Sequence, residues 1–156
     1  MTSSDEHHLL EAIEFARRSR ENGNHPFGAV LVDAAGDVVL EAENTVLTER
    51  DCTNHAELNL VRAASCRFDE ATLPECTLYA STEPCAMCAG AIYWSGIGRV
   101  VFALSGAALN AMVEGGDEAD LALPCREVFA RGGRTVEVSG PHLEEEGREV
   151  HEGFWR

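Results

Sequence analysis

The chain has 156 residues, a formal net charge of −15 and no lysine, so that all 12 of its basic residues are arginine. Such an acidic chain repels phosphate backbones, whose binding rests on neutralisation by Lys and Arg, and this argues against a nucleic-acid partner. Its 45% hydrophobic and 25% charged residues are those of an ordinary globular protein, and no apolar run nears the roughly 18 residues that a bilayer span requires.

The N-terminal stretch MTSSDEHHLLEA carries neither the basic nor the apolar region of a signal peptide, so a cytoplasmic address is expected. Residues 7–21 place Leu9, Leu10, Ile13, Phe15 and Ala16 near one helical face, with Ser4 or Asp5 available as the cap. FGAVLVDAAGDVVLEAENTV reads as two strands around the DAAGD turn, and LTERDCTN as an irregular polar segment. HAELNLVRAASCRF is helical, CTLYAS is a short strand, and PCAMCAGAIYWSG is a helix with proline at its start and Gly96 at its end. GRVVFAL is a further strand. The helical stretch GAALNAM, the acidic loop VEGGDEAD and the short helix CREVFARGG follow it. RTVEVSG is a fifth strand, and HLEEEGREVHEGFW a last helix weakened by Gly147. One hairpin followed by strand–helix–strand units predicts an α/β protein, a three-layer α/β/α sandwich on a five-stranded mixed sheet. With no repeat, linker or low-complexity tract, residues 1–156 are expected to form one domain.

Six cysteines fall at 52, 66, 76, 85, 88 and 125, and four of them are scattered as small packing side chains are. Cys85 and Cys88 stand apart by their spacing. C-x-x-C by itself fits a redox pair at a helix start, a metal site or chance. A structural zinc site needs a second tight pair of Cys or His, and the chain offers none. Upstream, His55 and Glu57 form an H-x-E, with 27 residues between Glu57 and Cys85, enough for a helix, a loop and a strand. One His and two Cys supply three ligands and leave a fourth position open, the mark of a catalytic rather than a structural zinc. Glu57 lies about 200° around a helix from His55, so it does not share the metal by lying on the same face. At a helix start it can reach water in the open position, take its proton and return it to a leaving amine.

HAE followed by PCAMC resembles the zinc-dependent cytidine/deoxycytidylate deaminase superfamily, for which H-x-E…P-C-x-x-C is a known signature. The resemblance runs from PFGAV at 26–30 to GRVVF at 98–102, and AIYWS is similar to the guanine deaminase branch. It implies the cytidine deaminase-like fold, with zinc as cofactor held by His55, Cys85 and Cys88, and Glu57 as proton shuttle. It also implies substrate contacts from Asn44, the N–H of Ala56, the rings of Phe27 and Trp94, and an acidic residue near 114–118, for which Asp117 is the choice. The activity implied is hydrolytic deamination of a free nucleobase or related amino-heterocycle, with guanine first. Cytosine, a triazine, a nucleoside and a tRNA adenosine remain as alternatives. Family members imply a homodimer, with a C-terminal segment from about residue 120 to 156 serving as lid or exchanged element. His25 stands where related proteins often carry a small residue, a departure that falls on the expected pocket wall. Glu83 is expected to support the cysteine loop rather than touch substrate. A redox C-x-x-C protein and a non-catalytic protein with structural zinc are the rivals from other classes.

Overall fold

The computed structural model describes residues 1–113 and 119–155 of the chain. Helix α1 (Ser3–Glu21) starts earlier than its apolar pattern because Thr2 caps it. The Thr2 hydroxyl accepts from the Asp5 N–H at 3.0 Å, and the Thr2 N–H donates to the Asp5 carboxylate at 2.9 Å, a reciprocal capping box. Ser4 and Asp5 were the caps expected; Asp5 instead serves as the third-position partner.

Strands β1 (Gly28–Val32) and β2 (Val38–Glu43) form the expected hairpin, its turn held by the Asp33 carboxylate accepting from the N–H groups of Ala35 and Asp37. The segment expected to be irregular contains one turn of helix, α2 (Val46–Glu49). Its first N–H groups are taken by one neighbouring and one distant side chain. Asn44 accepts from Val46, and Asn24 accepts from Leu47 and Thr48. The Asn44 bond is a local Asx turn, but no local pattern announces the cap from Asn24.

Helix α3 (Ala56–Arg67), β3 (Thr77–Thr82), α4 (Ala86–Ser95) and β4 (Arg99–Leu104) follow close to their expected bounds. Next come α5 (Gly106–Met112), α6 (Cys125–Ala130), β5 (Glu137–Ser139) and α7 (Glu144–Glu149). The last of these is much shorter than the pattern promised, and the chain turns from Val150 to Phe154 instead. Gly147 sits inside α7, where a Cβ would lie 3.2 Å from Leu104. The glycine that weakened the helix in sequence is what lets α7 approach β4.

The sheet order is β2-β1-β3-β4-β5, with β1 antiparallel to β2 and β3, and β3, β4 and β5 mutually parallel. Side chains alternate along the strands into two cores. Ala29, Leu31, Leu78, Val100 and Phe102 pack against Leu60 and Val61 of α3, Ile92 of α4 and Phe129 of α6. Val30, Val32, Tyr79, Val101 and Ala103 meet Leu9, Ala12, Ile13 and Ala16 of α1, with Val150 beyond α7. Helices therefore cover both faces of a five-stranded mixed sheet, as expected. Close approach is enforced at Gly28, where a Cβ would stand 2.3 Å from the Ala12 carbonyl oxygen of α1. No described helix is long and apolar enough to cross a membrane.

Candidate metal centre

His55 and Cys85 occupy equivalent places. Each is the extended N-cap residue of a helix, His55 at φ −65°, ψ 153° before α3 and Cys85 at φ −66°, ψ 171° before α4. Pro84 therefore lies one residue outside α4 rather than at its first turn, with Cys88 one turn into the helix. The two helices pack on each other and direct their N-terminal ends to one spot. Positive helix ends favour thiolates there.

His55 Nδ1 lies 3.5 Å from Cys85 Sγ and 3.6 Å from Cys88 Sγ, and the three donor atoms all fall within 4.8 Å of one another. A tetrahedral zinc with Zn–N about 2.0–2.1 Å and Zn–S about 2.3 Å sets N···S edges of about 3.6 Å. The donor set fits zinc in type and spacing. Among the described residues the only other cluster of metal-ligating side chains is His7, His8 and Glu11 on α1.

The thiols show why a cation suits this place. Cys85 is drawn down to about 4, chiefly by its contact with Cys88, with His55 also helping. Cys88 is driven far upward by that same contact, by burial and by the Glu57 charge. The pair shares one proton between two sulfurs, and a divalent cation is what lets both ionise. His55 is raised, first by its hydrogen bond with Cys85.

Glu57 is buried at 5% exposure, and its Oε2 lies 3.8 Å from Cys88 Sγ. Burial, with the Cys85 charge second, lifts its carboxyl to about 7. A group near that value can both accept and release a proton at neutral pH. An adjacent cation would draw it lower.

Asn44 is buried at 1%, its side-chain oxygen accepting from Val46 N–H at 3.0 Å and its backbone N–H bonding the Phe27 carbonyl at 3.1 Å. Ala56 is fully buried as the first residue of α3. Phe27 packs on the core, with ring centroids 5.2 Å from His151 and 6.1 Å from Trp155. His25 leans on Phe154 and Trp155 at 5.9 and 5.6 Å. Burial first, and then the His55 charge, lower its imidazole. Trp94 is not brought to the cluster. It is 85% exposed at the far end of α4, edge-on to Tyr93 and beside Glu70 and Arg134. Asp117 lies outside the described residues.

Glu83 takes the supporting place expected of it. One carboxylate oxygen accepts from Gly106 N–H at 2.9 Å and the other from Cys125 N–H at 3.2 Å, tying the cysteine loop to the starts of α5 and α6. His151 opens the C-terminal stretch HEGFW, in which Phe154 and Trp155 are the lid candidates and no motif assigns the histidine a role.

Residues 2–104 match the family described as the cytidine and deoxycytidylate deaminase zinc-binding region. The probable cytosine deaminase of Schizosaccharomyces pombe is 40% identical over 157 aligned residues, covering 99% of this chain and 94% of that protein. The guanine deaminase of Bacillus subtilis is 47% identical, over 45% of this chain and 44% of its own. Among solved structures, one from a study of A-to-I editing by tRNA:A34 deaminases superposes with a TM-score of 0.73 at 28% identity, covering 92% of this chain and 98% of that one.

Proposed function

We propose, from the premise that the chain belongs to the zinc-binding cytidine and deoxycytidylate deaminase family, that it deaminates a free nucleobase and that cytosine is its first substrate. It is a hydrolytic deaminase by family; the base is the inference. The observation that carries the choice is the 40% identity to a probable cytosine deaminase along 99% of the chain, including the C-terminal third that lies beyond the family match. That third contributes Phe154 and Trp155, which stand beside His25 and Phe27. This moves cytosine ahead of guanine, the base to which the AIYWS stretch points. Guanine is the second reading, favoured by the 47% identity to a guanine deaminase over 70 residues. The −15 charge weighs against tRNA. The expected homodimer stays part of the reading, and Met87 and Trp94 on α4 are exposed apolar side chains in its favour.

In this reading His55, Cys85 and Cys88 hold the zinc. Bound zinc supplies a Lewis acid that makes water nucleophilic near neutral pH. Glu57 would accept one proton of the attacking water and pass it to the ring nitrogen of the base, then take the remaining proton from the oxygen added to the ring carbon and deliver it to the departing amine. Ammonia and the oxo base are the products. Asn44 and the Ala56 N–H orient the ring's polar edge, and Phe27 covers its face. Trp94 has no part in this account of a single chain, and an acidic contact from Asp117 remains an expectation.

The test is ammonia release across cytosine, guanine, an aminotriazine and the matching nucleosides, run beside a metal assay. Cytosine turnover with stoichiometric zinc is expected. A zinc-loaded protein that releases ammonia from none of these would end the reading, and one that prefers guanine would reverse the order of the two bases.

A further inference from the structure

The turn from Val150 to Phe154 is held from two sides. Arg20 of α1 donates to the carbonyls of Val150 and Glu152 at 2.9 and 2.7 Å, and its guanidinium lies 5.5 Å from the Phe154 ring centroid. His151 holds the other side. It is buried at 1%, and its ring stacks on Trp155 at 19° with centroids 6.0 Å apart.

The hydrogen bonds of this imidazole assign its proton. The Trp155 indole N–H donates to His151 Nδ1 at 3.1 Å, and an indole nitrogen can only donate. Nδ1 therefore carries a lone pair. The ring proton sits on Nε2, which faces the Thr82 hydroxyl at 3.3 Å. Thr82 is the last residue of β3, the strand that leads into Cys85. A neutral histidine in one tautomer thus links the strand that delivers a metal-ligating cysteine to the last aromatic residue described. Trp155 in turn stands against His25 and Phe27, with ring centroids 5.6 and 6.1 Å away, and the Phe27 carbonyl accepts from the N–H of buried Asn44.

We propose that His151 is a positioning residue: by accepting from the Trp155 indole and donating to Thr82, it holds Trp155 against His25 and Phe27 as the outer wall of the base pocket. This rests on the nucleobase reading above only for what the wall encloses; the tail's placement stands without it. A wall of three rings suits a flat heteroaromatic substrate, and an unpinned Trp155 would leave that face open to water.

The experiment reads the tail directly and activity separately. Trp94→Phe removes the exposed indole and leaves Trp155 as the sole tryptophan. In that background His151→Phe, which keeps an aromatic ring without either hydrogen bond, is expected to shift Trp155 emission to the red and raise its quenching by acrylamide. His151→Asn, whose amide oxygen can stand where Nδ1 stands, is expected to restore much of the parent signal. With Trp94 intact, His151→Phe is expected to raise KM for the base about fivefold, the worth of one net hydrogen bond, with kcat and zinc content little changed. Unchanged emission and quenching in His151→Phe would overturn the proposal, as would a loss confined to kcat. Should His151→Phe fail to fold, the unaltered protein still decides. Its Trp155 indole N–H is expected to exchange with solvent more slowly than that of Trp94, and equal exchange would refute the latch. If the tail responds as described but no base is deaminated, the substrate reading fails and the latch does not.

Discussion

Glu57 Oε2 lies 3.8 Å from Cys88 Sγ, although the two belong to different helices. The contact sets the carboxylate at the edge of the metal cluster without making it a ligand. Its burial gives it a proton affinity near neutrality.

Glu57→Gln keeps the shape of the side chain and removes its basicity. Ammonia release is expected to fall by roughly 10²–10⁴-fold, the usual worth of a positioned acid–base group. Zinc content by elemental analysis should match the parent. Loss of zinc together with activity would assign Glu57 to the metal shell instead.

Chelation should free the thiols in a way that can be measured. With zinc removed, Cys85 is held as a thiolate by Cys88 and His55 and is partly accessible. The stripped protein is expected to react with a thiol reagent at pH 6, where an ordinary cysteine near 8.5 is almost wholly protonated. Zinc should suppress that reaction and raise Tm, since a ligand bound at 100 times its Kd stabilises by about 2.7 kcal/mol. Equal thiol reactivity with and without zinc would count against Cys85 as a ligand.

Glu83→Ala strands two N–H groups, those of Gly106 and Cys125. An unsatisfied buried group costs about 1–3 kcal/mol. Because Glu83 is only partly buried and water can replace some of its bonds, a loss of about 1–2 kcal/mol in denaturant unfolding is expected. Glu83→Gln retains one acceptor and should fall between the two. A neutral Glu83→Ala would mean that α5 and α6 do not depend on the cysteine loop.

Asp5 ties the first turn of α1 to β4. Its carboxylate takes two hydrogen bonds from Arg99, at 2.8 and 3.2 Å, and one from the Tyr79 hydroxyl at 2.8 Å. Arg99, followed by the Thr2 cap, holds the carboxyl well below the usual carboxylate range. The folded value is the lower one, so this stability is full above the unfolded value near 3.9 and is lost as pH falls below it. Asp5→Asn is expected to lower stability at pH 7 by about 3 kcal/mol, the low end for a broken buried pair because Arg99 is partly exposed. It should also flatten the decline in Tm below pH 4. An undiminished decline would place the acid sensitivity in other carboxylates.

The legible parts of this chain were those whose cause is local. Short, largely apolar runs buried on both faces specify β1, β3 and β4, and Gly96 ends α4 at φ +91°. The H-x-E and C-x-x-C spacings name the candidate metal ligands because zinc accepts few donor types. The misses have non-local causes. Helix α2 is capped by Asn24 from across a strand pair. Helix α7 is cut short where Leu143 takes a left-handed φ of 52° and Gly147 meets β4. Trp94, which family resemblance assigns to the base, projects from the far end of α4 in the single chain.

By itself, then, the sequence determined the candidate ligand set, the carboxylate beside it and the layered fold, because these follow from donor chemistry and from side-chain period along one stretch of backbone. Only the tertiary structure decided what stands around them. It placed Glu83 under two helix starts, His25 against the C-terminal rings, and His151 between Thr82 and Trp155. Thr82 and His151 are separated by 69 residues, and no period or spacing encodes a contact that exists only once sheet and helices have closed on each other.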